Sequence, residues 1–317
     1  MAFQRAGFGS LHWHNRCRLA SIPLDAQRRA ILHVVIPVPV TPVERQITLR
    51  DGFRLALRVW TQRSAVRGTV VIAHGLGEHS GRYQQLAKDL GDAGWEVHAA
   101  DYRGHGRSGG TRGTIPRPES IRDDILESLA FARATSASPV VLLGHSMGGA
   151  MAAWAIAHDR RAADALVLSS PALRTDLSIV QKLLMHTMRR LQPDMVVGNG
   201  LDAKYISHDP AVVAAYRNDP LVHDRVSPRL AHAIVTAGDA VRAAASGWTT
   251  PTIILYSGDD RLVNSRGSAE FAVAAPASIV TLRRYDRMYH EIFNEPQREE
   301  PVHALLEWLT LRVSATR

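Results

Sequence analysis

The stretch Val140-Val-Leu-Leu-Gly-His-Ser-Met-Gly-Gly149 decides how this chain folds. Four apolar residues lead directly into a Gly-x-Ser-x-Gly pattern, and an alanine-rich segment follows as far as residue 158. This order predicts a buried strand, a tight turn and a helix, with Ser146 at the turn. Glycines two residues before and two residues after Ser146 allow the strand and the helix to approach closely. We therefore predict that Ser146 is a nucleophile, at a helix N-terminus that favours developing negative charge.

The same pattern occurs a second time, as Gly106-Arg-Ser-Gly-Gly110. Five residues are too few to decide which serine matters, so the predicted surroundings have to decide. The residues after Gly110 read Thr-Arg-Gly-Thr-Ile-Pro, which has no helical periodicity. We predict a loop at Ser108, in which the glycines serve the turn.

Strand-like and helix-like segments alternate on both sides of the first motif. A continuous apolar run predicts a buried strand at residues 69–73, and further strands are predicted at 95–100, 140–143, 165–168, 252–256 and 279–282. Helical spacing predicts helices at residues 83–93, 121–134, 147–158 and 298–313. Two alternating runs, 46–49 and 54–60, flank Asp51-Gly52 and predict a hairpin. The predicted fold class is α/β, with a mostly parallel central sheet and helices on both faces over residues 43–313.

One insertion after the sixth strand, at about residues 172–246, breaks the alternation, and we predict no strand within it. A predicted helix at 177–191 is amphipathic, with Val180, Leu183, Leu184, Met188 and Leu191 on one side and Lys182, His186, Arg189 and Arg190 on the other. This helix either packs on the sheet like any other or forms part of a cap. We favour a helical cap, because an insertion between two sheet strands overhangs their carboxyl ends.

Composition excludes several classes of protein. The one cysteine, Cys17, permits no intramolecular disulfide, which fits a cytoplasmic location and excludes a cysteine-based metal site. The net charge of +8 comes mainly from scattered arginines without a basic helical stripe, so we predict no nucleic-acid partner. No apolar run approaches the roughly 18 residues that a membrane span needs. Residues 1–42 lack periodicity, and we expect a poorly ordered extension or a start codon set too early.

A serine hydroxyl needs an adjacent base, and the base needs an acid that orients it. On a strand–turn–helix nucleophile the chain order is serine, then acid, then histidine. Two histidines come late enough: His303 lies within the last predicted helix, whereas His290 follows the last strand in a short loop. We therefore predict His290 as the base. Asp259 and Asp260 both follow the strand at 252–256, and we prefer Asp260 while leaving Asp259 open.

The negative charge of a tetrahedral intermediate needs N–H donors that are already in place. One donor should be the backbone N–H of Met147, at the start of the helix after the nucleophile. The other should come from the loop His74-Gly-Leu-Gly77 after the strand at 69–73, where we choose Leu76. We expect His74 to be structural, because it precedes the acid in the chain.

Three motifs together resemble one known family. They are His74-Gly-Leu-Gly-Glu-His-Ser-Gly-Arg-Tyr83, Asp101-Tyr-Arg-Gly-His-Gly-Arg-Ser108 and Gly144-His-Ser-Met-Gly-Gly149. Over about residues 43–309 the chain resembles the monoglyceride lipase and lysophospholipase group of α/β hydrolases, a group that includes sequences described as serine aminopeptidases. The resemblance implies the α/β-hydrolase fold, an amphipathic cap over an acyl tunnel, and hydrolysis of monoacylglycerols or similar esters.

The resemblance also implies roles for further residues. It implies an oxyanion hole at Leu76 and Met147 and a substrate-binding polar end, around the glycerol, formed by Glu78, Arg82, His145 and Tyr216. Glu78 and Arg82 are also i, i+4 neighbours if helical, and they could simply pair with each other.

The chain departs from the family in two places near the predicted acid and base. Arg287 and Met288 stand where the family usually has small residues, and we expect them to narrow the pocket for the leaving group. The family's glycine before the acid stands one position closer to it, which is the origin of the choice between Asp259 and Asp260.

Our hypothesis is hydrolysis of small-molecule or lipid esters through an acyl-enzyme on Ser146, without metal or cofactor. Two alternatives remain: an amidase or aminopeptidase in which Glu78 holds the substrate ammonium, and a non-catalytic ligand-binding protein of the same fold. The apolar side of the cap suggests transient contact with a membrane surface, which would make a cytoplasmic protein peripheral there. The sequence leaves the oligomeric state open.

Overall fold

The computed structural model describes residues 41–61, 66–136, 139–176 and 178–313, with the backbone alone at 179–182. The expected N-terminal extension, with Cys17, therefore lies almost wholly outside the described residues. The strands are β1 (Val43–Thr48), β2 (Arg54–Trp60), β3 (Gly68–Ala73), β4 (Trp95–Ala100), β5 (Val140–His145), β6 (Ala165–Ser169), β7 (Val197–Gly198), β8 (Arg225–Val226), β9 (Thr252–Ser257) and β10 (Val280–Tyr285). The helices are α1 (Gln84–Asp92), α2 (Ser120–Thr135), α3 (Met147–His158), α4 (Ile179–Leu191), α5 (Pro210–Asn218), α6 (Pro228–Ala244), α7 (Arg266–Ala274) and α8 (Glu299–Arg312).

Eight of these strands form one sheet in the order β1-β2-β4-β3-β5-β6-β9-β10. The predicted hairpin forms the antiparallel pair β1 and β2, and β2 pairs antiparallel with β4. From β4 to β10 every neighbouring pair is parallel. The predicted fold class, a mostly parallel central sheet with helices on both faces, is confirmed.

Strand β5 shows why the central strands are mostly apolar. Val140 and Leu142 belong to a buried cluster with residues of α2 and α3, whereas Val141 and Leu143 belong to a second cluster with residues of α1 and α8. Successive side chains of a strand point to opposite faces, so a strand covered on both faces needs apolar residues throughout. Burying each of them stabilises the fold by about 1.5–3 kcal/mol. This packing holds the carboxyl end of β5, and hence Ser146, in a fixed position.

Helix α7, between β9 and β10, is absent from the sequence-based prediction. Its nine residues include Gly267 and several alanines, so the apolar periodicity is weak, and Phe271 is its one large buried side chain. The expectation of no strand within residues 172–246 is also wrong, because β7 and β8 pair antiparallel there. Strands of two residues are too short to produce a readable alternation.

The insertion at 172–246 divides into two parts by its packing. Helix α6 buries Leu230, Ala233 and Val241 in the same cluster as α3, so it covers one face of the sheet. A Cβ at Gly238 would lie 2.6 Å from the carbonyl oxygen of Leu173, which indicates close packing of α6 against the core. Helices α4 and α5 are therefore the part of the insertion that stays a candidate cap.

Helix α4 directs its apolar side outward. Leu183, Leu184 and Leu191 are 64%, 59% and 70% exposed, and Met188 is half-buried. On the predicted polar side His186 and Arg189 are half-buried and Arg190 is exposed. Val180 and Lys182, also assigned to these sides, lie outside the described side chains. A helix that packed on the sheet like the others would bury its leucines. Within the described residues, no helix is long and apolar enough to cross a membrane.

Candidate active site

Ser146 lies at a strained turn between β5 and α3. Its φ of 55° and ψ of −121° fall outside the regions that non-glycine residues normally occupy. A Cβ at Gly144 would lie 2.6 Å from the carbonyl oxygen of Gly148, and a Cβ at Gly148 would lie 2.2 Å from that of Ala73. Both glycines are thus required for the close approach of strand, turn and helix. Strain of this kind persists where the surrounding packing enforces it and is often found at functional residues.

Asp260 and His290 are joined by a short hydrogen bond. The imidazole Nδ1 of His290 lies 2.7 Å from Asp260 Oδ2, and both side chains are buried. The second oxygen of Asp260 accepts the backbone N–H groups of Leu262 and Val263, at 2.9 Å each. With Nδ1 engaged, the Nε2 atom of His290 is left for another partner.

Asp259, the alternative acid, points elsewhere. It pairs with exposed Arg261 at 2.6 Å, on the outside of the same turn. His303, the alternative histidine, is exposed on α8. His74 donates from Nδ1 to the carbonyl oxygen of Gly75 and accepts the N–H of Tyr102, so both of its nitrogens serve the loop structure.

The environment of the pair separates the two pKa values. Burial alone would raise the pKa of Asp260, but His290 and the two backbone N–H groups outweigh burial and bring it below the ordinary value. Burial alone would lower the pKa of His290, but the Asp260 carboxylate outweighs burial and raises it. The pair therefore favours a carboxylate beside an imidazole that can accept a proton and hold it.

Two cavities meet at Ser146. The larger, of about 760 Å³, is lined by the predicted donors Leu76 and Met147 and by apolar residues including Ile234 and Val263. The smaller, of about 30 Å³, contains His290 together with polar side chains. Both cavities are lined by Leu76, Ser146, Leu201 and Leu262. A substrate bound across Ser146 would thus extend into an open, partly apolar space on one side and a small polar space on the other.

Three of the four residues predicted for the polar end of the site line the small cavity, and the fourth lies directly behind them. Glu78, His145 and Tyr216 line the cavity itself. Arg82 lies behind them, 2.7 Å from Glu78 Oε2, and its guanidinium carbon is 4.7 Å from the ring centroid of Tyr216. The simple pairing of Glu78 with Arg82 therefore exists in the structure. Burial alone would raise the pKa of Glu78, yet Arg82 and neighbouring groups lower it to about 2.

Glu291 belongs to this group, although the sequence did not single it out. Its two oxygens lie 2.6 Å and 2.7 Å from the two terminal nitrogens of Arg82. The signal that could have found it is its place directly after His290, in the loop expected to carry the base. Its partner is 209 residues away, so no local pattern connects the two.

The expected narrowing of the leaving-group pocket by Arg287 and Met288 does not occur. Met288 is 4% exposed and packs into the core cluster with α8, whereas Arg287 is exposed. Among the described residues that line the two cavities at Ser146, neither is present. The loop before His290 therefore turns its large side chains away from the site.

The loop that carries His290 is also tied to the candidate cap. The backbone N–H of His290 donates to the carbonyl oxygen of Tyr205 at 3.3 Å, and the backbone N–H of Glu291 donates to the carbonyl oxygen of Ile206 at 2.8 Å. Ser207 donates its hydroxyl to the carbonyl oxygen of Asn294 at 2.9 Å. The segment before α5 thus lies alongside the His290 loop and constrains its position.

Known proteins resemble this chain over most of its length. Residues 64–297 match the family described as serine aminopeptidase, S33. A monoacylglycerol lipase of Mycolicibacterium smegmatis is 36% identical over 81% of this chain and 93% of that protein. The human monoglyceride lipase is 29% identical over 83% of this chain and 89% of its own length.

Solved structures agree with these matches. The crystal structure of a monoacylglycerol lipase from Paleococcus ferrophilus has a TM-score of 0.73 and 32% identity, and the match covers 81% of this chain and 99% of that one. A monoglyceride lipase from Saccharomyces cerevisiae, at 23% identity and a TM-score of 0.77 over 87% of this chain and 98% of that one, shares the fold. The chain therefore belongs to the serine aminopeptidase S33 family of α/β hydrolases.

Proposed function

We propose that this protein is a serine hydrolase that cleaves carboxylic esters of the monoacylglycerol type. The observation that carries the proposal is the hydrogen-bonded pair Asp260–His290 beside Ser146, which is held in a strained turn between two cavities. The similarity to proteins named monoacylglycerol lipase supports the choice of substrate class.

In this proposal Ser146 Oγ attacks the acyl carbonyl carbon while His290 Nε2 takes its proton. Asp260 keeps the proton of His290 on Nδ1 and stabilises the imidazolium that forms. The N–H groups of Leu76 and Met147 receive the oxyanion. His290 then protonates the departing alcohol, leaving an acyl-enzyme, and water attacks that ester through the same base to release the acid.

The two cavities suggest how the substrate lies. The acyl chain would occupy the larger cavity, where Leu76, Ile234 and Val263 offer apolar surface. The alcohol would occupy the smaller cavity, near Glu78 and Tyr216, where hydroxyl groups find polar partners. Its volume of about 30 Å³ is small, so the proposal requires this cavity to widen when a glycerol-sized alcohol binds.

The hydrogen bonding of Glu78 weighs against an aminopeptidase. One oxygen of Glu78 accepts the N–H of Gly75 at 2.6 Å and the hydroxyl of Tyr83 at 2.7 Å, and the other accepts from Arg82. Three of its roughly four acceptor positions are thus occupied, and the positive charge of Arg82 opposes a second cation beside Glu78. The site therefore favours uncharged hydroxyl groups over an ammonium.

A substrate profile tests the proposal. Purified protein would be assayed on monoacylglycerols of stepped chain length, lysophospholipids, p-nitrophenyl esters and amino-acid p-nitroanilides. We expect a maximum on monoacylglycerols and little turnover of anilides. Turnover of anilides alone would overturn the ester assignment, and failure of Ser146 to react with a fluorophosphonate probe would support a non-catalytic protein.

We also propose that α4 contacts membrane surfaces transiently and that the protein is otherwise cytoplasmic. Leu183, Leu184 and Leu191 are exposed beside the basic Arg190, which suits an anionic lipid surface. Vesicles of phosphatidylglycerol and phosphatidylcholine would be sedimented with the protein and with the double variant Leu183→Ser/Leu184→Ser. We expect the variant to bind less. Leu311→Ser, at an exposed leucine on α8, is the matched control, and equal losses from both variants would refute the role of α4.

A further inference from the structure

Three charged side chains form a buried group next to His290, and the mechanism above assigns no role to their charges. We name Glu78, Arg82 and Glu291 the Arg82 cluster. The Arg82 guanidinium lies between the two carboxylates, bidentate to Glu291 and singly bonded to Glu78. The side chains of Glu78, Arg82 and Glu291 are 5%, 11% and 6% exposed. The cluster is thus largely shielded from water.

The cluster joins three parts of the site. Glu78 accepts the N–H of Gly75 and so fixes the loop that carries Leu76. Glu291 follows His290 directly in the chain. Tyr216, from α5, lies against the guanidinium. One arginine therefore connects the predicted oxyanion loop, the loop of the base and the candidate cap.

The cluster carries one unbalanced negative charge. Two carboxylates face a single guanidinium, and the low pKa of Glu78, about 2, keeps that carboxyl ionised. An uncompensated buried charge is costly unless a positive partner is present or forms. His290 is the group beside the cluster that becomes positive during the proposed reaction.

We propose that Glu291 is a positioning residue, which locks Arg82 between the two loops and gives the cluster the net negative charge that stabilises protonated His290. This inference rests on the proposed function, because it requires His290 to accept a proton. Arg82 then acts within the protein instead of binding substrate, which differs from the role that the family resemblance implied for it.

The groups that face His290 agree with this charge balance. Asp260 is hydrogen-bonded to it, Glu291 and Glu78 lie on the side of the cluster, and the ring of His145 is 4.8 Å from its own. Burial lowers the pKa of His290, while Asp260, then Glu291 and Glu78, raise it. Burial and the neighbouring His290 lower the pKa of His145 to about 4, so His145 is neutral near neutral pH.

A purely structural ion pair and a charge-supplying one predict different pH profiles. In both cases, breaking the ion pair between Arg82 and Glu291 loosens the site. A displacement of about 1 Å can cost roughly 10²-fold in rate. The charge role alone predicts which way the acid limb of the profile moves. That limb reports the ionisation of the base in the free enzyme.

The experiment measures kcat/KM for an ester, and the rate of Ser146 labelling by a fluorophosphonate, as functions of pH. Glu291→Gln removes one negative charge, so we expect the acid limb to move to lower pH. Glu291→Asp keeps the charge, so its limb should stay near that of the wild type even where its rate falls. Arg82→Met should move the limb to higher pH, and Arg82→Met/Glu291→Gln, again with net charge −1, should bring it back.

Asp124→Asn is the matched control. Asp124 forms a buried bidentate pair with Arg103 and does not line the cavity of His290. The acid limb of the Asp124→Asn profile should therefore stay at the wild-type pH. Thermal melting checks that each variant is folded, and if Arg82→Met is not, the comparison of Glu291→Gln with Glu291→Asp decides alone. The inference is overturned if the acid limb of Glu291→Gln stays at the wild-type pH. It is also overturned if the acid limbs of Glu291→Gln and Glu291→Asp move by the same amount. A wild type that neither labels nor hydrolyses esters would instead overturn the proposed function.

Discussion

Residues 144–148 and 106–110 have the same five-residue pattern and fold into different structures. Ser146 projects into two cavities from a strained turn, whereas Ser108 is buried and fully bonded. The Ser108 hydroxyl donates to the carbonyl oxygen of Asp101 at 2.5 Å and accepts the N–H of Ala56 at 2.9 Å. The hydroxyl of Ser108 thus stabilises a loop, and that of Ser146 remains available for chemistry. The surroundings of a short motif, and not its letters, determine its role.

The largest expected difference separates the two serines. Ser146→Ala should lower ester turnover by about 10⁴-fold or more, because the proposed mechanism uses the Ser146 hydroxyl as its nucleophile. Ser108→Ala should keep turnover near that of the wild type and lose about 1–3 kcal/mol of unfolding free energy, since it leaves the N–H of Ala56 unpaired. Turnover of a p-nitrophenyl ester and urea unfolding measure the two effects. Loss of turnover in Ser108→Ala alone would reverse the assignment.

The acids beside Ser146 extend the comparison. Asp260→Asn should cost about 10⁴-fold in kcat, because the amide no longer holds the proton of His290 on Nδ1. Asp259→Asn should change kcat by less than about threefold, since its exposed pair with Arg261 contributes little. Steady-state kinetics of both variants provide the measurement, and similar losses in the two would show that either acid can serve.

Alanine substitutions at the glycines of the two segments should have different effects on the stability of the protein. Gly148→Ala places a Cβ 2.2 Å from the carbonyl oxygen of Ala73, and we expect a loss of about 3 kcal/mol in unfolding free energy. Gly109→Ala meets nothing closer than 3.8 Å, on the ring of Phe53, so the change should stay within about 0.5 kcal/mol. Chemical denaturation compares them. A stable Gly148→Ala protein would mean that the turn at Ser146 tolerates a wider spacing.

The smallest expected effect concerns the carboxylate of Asp101, which binds the backbone of the segment 106–110. Asp101 accepts the N–H groups of Ser80 and Arg107 at 2.7 Å and 2.8 Å. Burial alone would raise its pKa, but His74 and these donors outweigh burial and lower it. A lowered folded pKa gives stability that is present above the unfolded value, about 3.9, and is lost as pH falls through the folded pKa.

Asp101→Asn should therefore reduce the dependence of unfolding free energy on pH below about pH 4. Urea unfolding of the variant and the wild type over about pH 2.5–6, on both sides of that value, measures the two slopes. Identical slopes would mean that Asp101 contributes nothing to acid sensitivity.

Local patterns were enough for much of the fold and part of the candidate site. Strand β4 and helix α3 have the bounds that periodicity predicts, because alternation and helical spacing are properties of neighbouring residues. Chain order reduced the candidate bases to His290 and His303, and the position of His290 in a loop after the last predicted strand directed the choice to it. Helix α7 was missed because its alanines and Gly267 carry little periodicity.

The residues themselves determined that β5 leads into a tight turn at Ser146 and a helix, because glycines and apolar runs act within a few positions. Only the tertiary structure decided which of two adjacent aspartates contacts His290, because adjacent side chains in a turn point in different directions. It also decided that Glu291 holds Arg82 and that the leucines of α4 face outward. Those outcomes depend on burial and on charges brought together from distant parts of the chain, which no local pattern encodes.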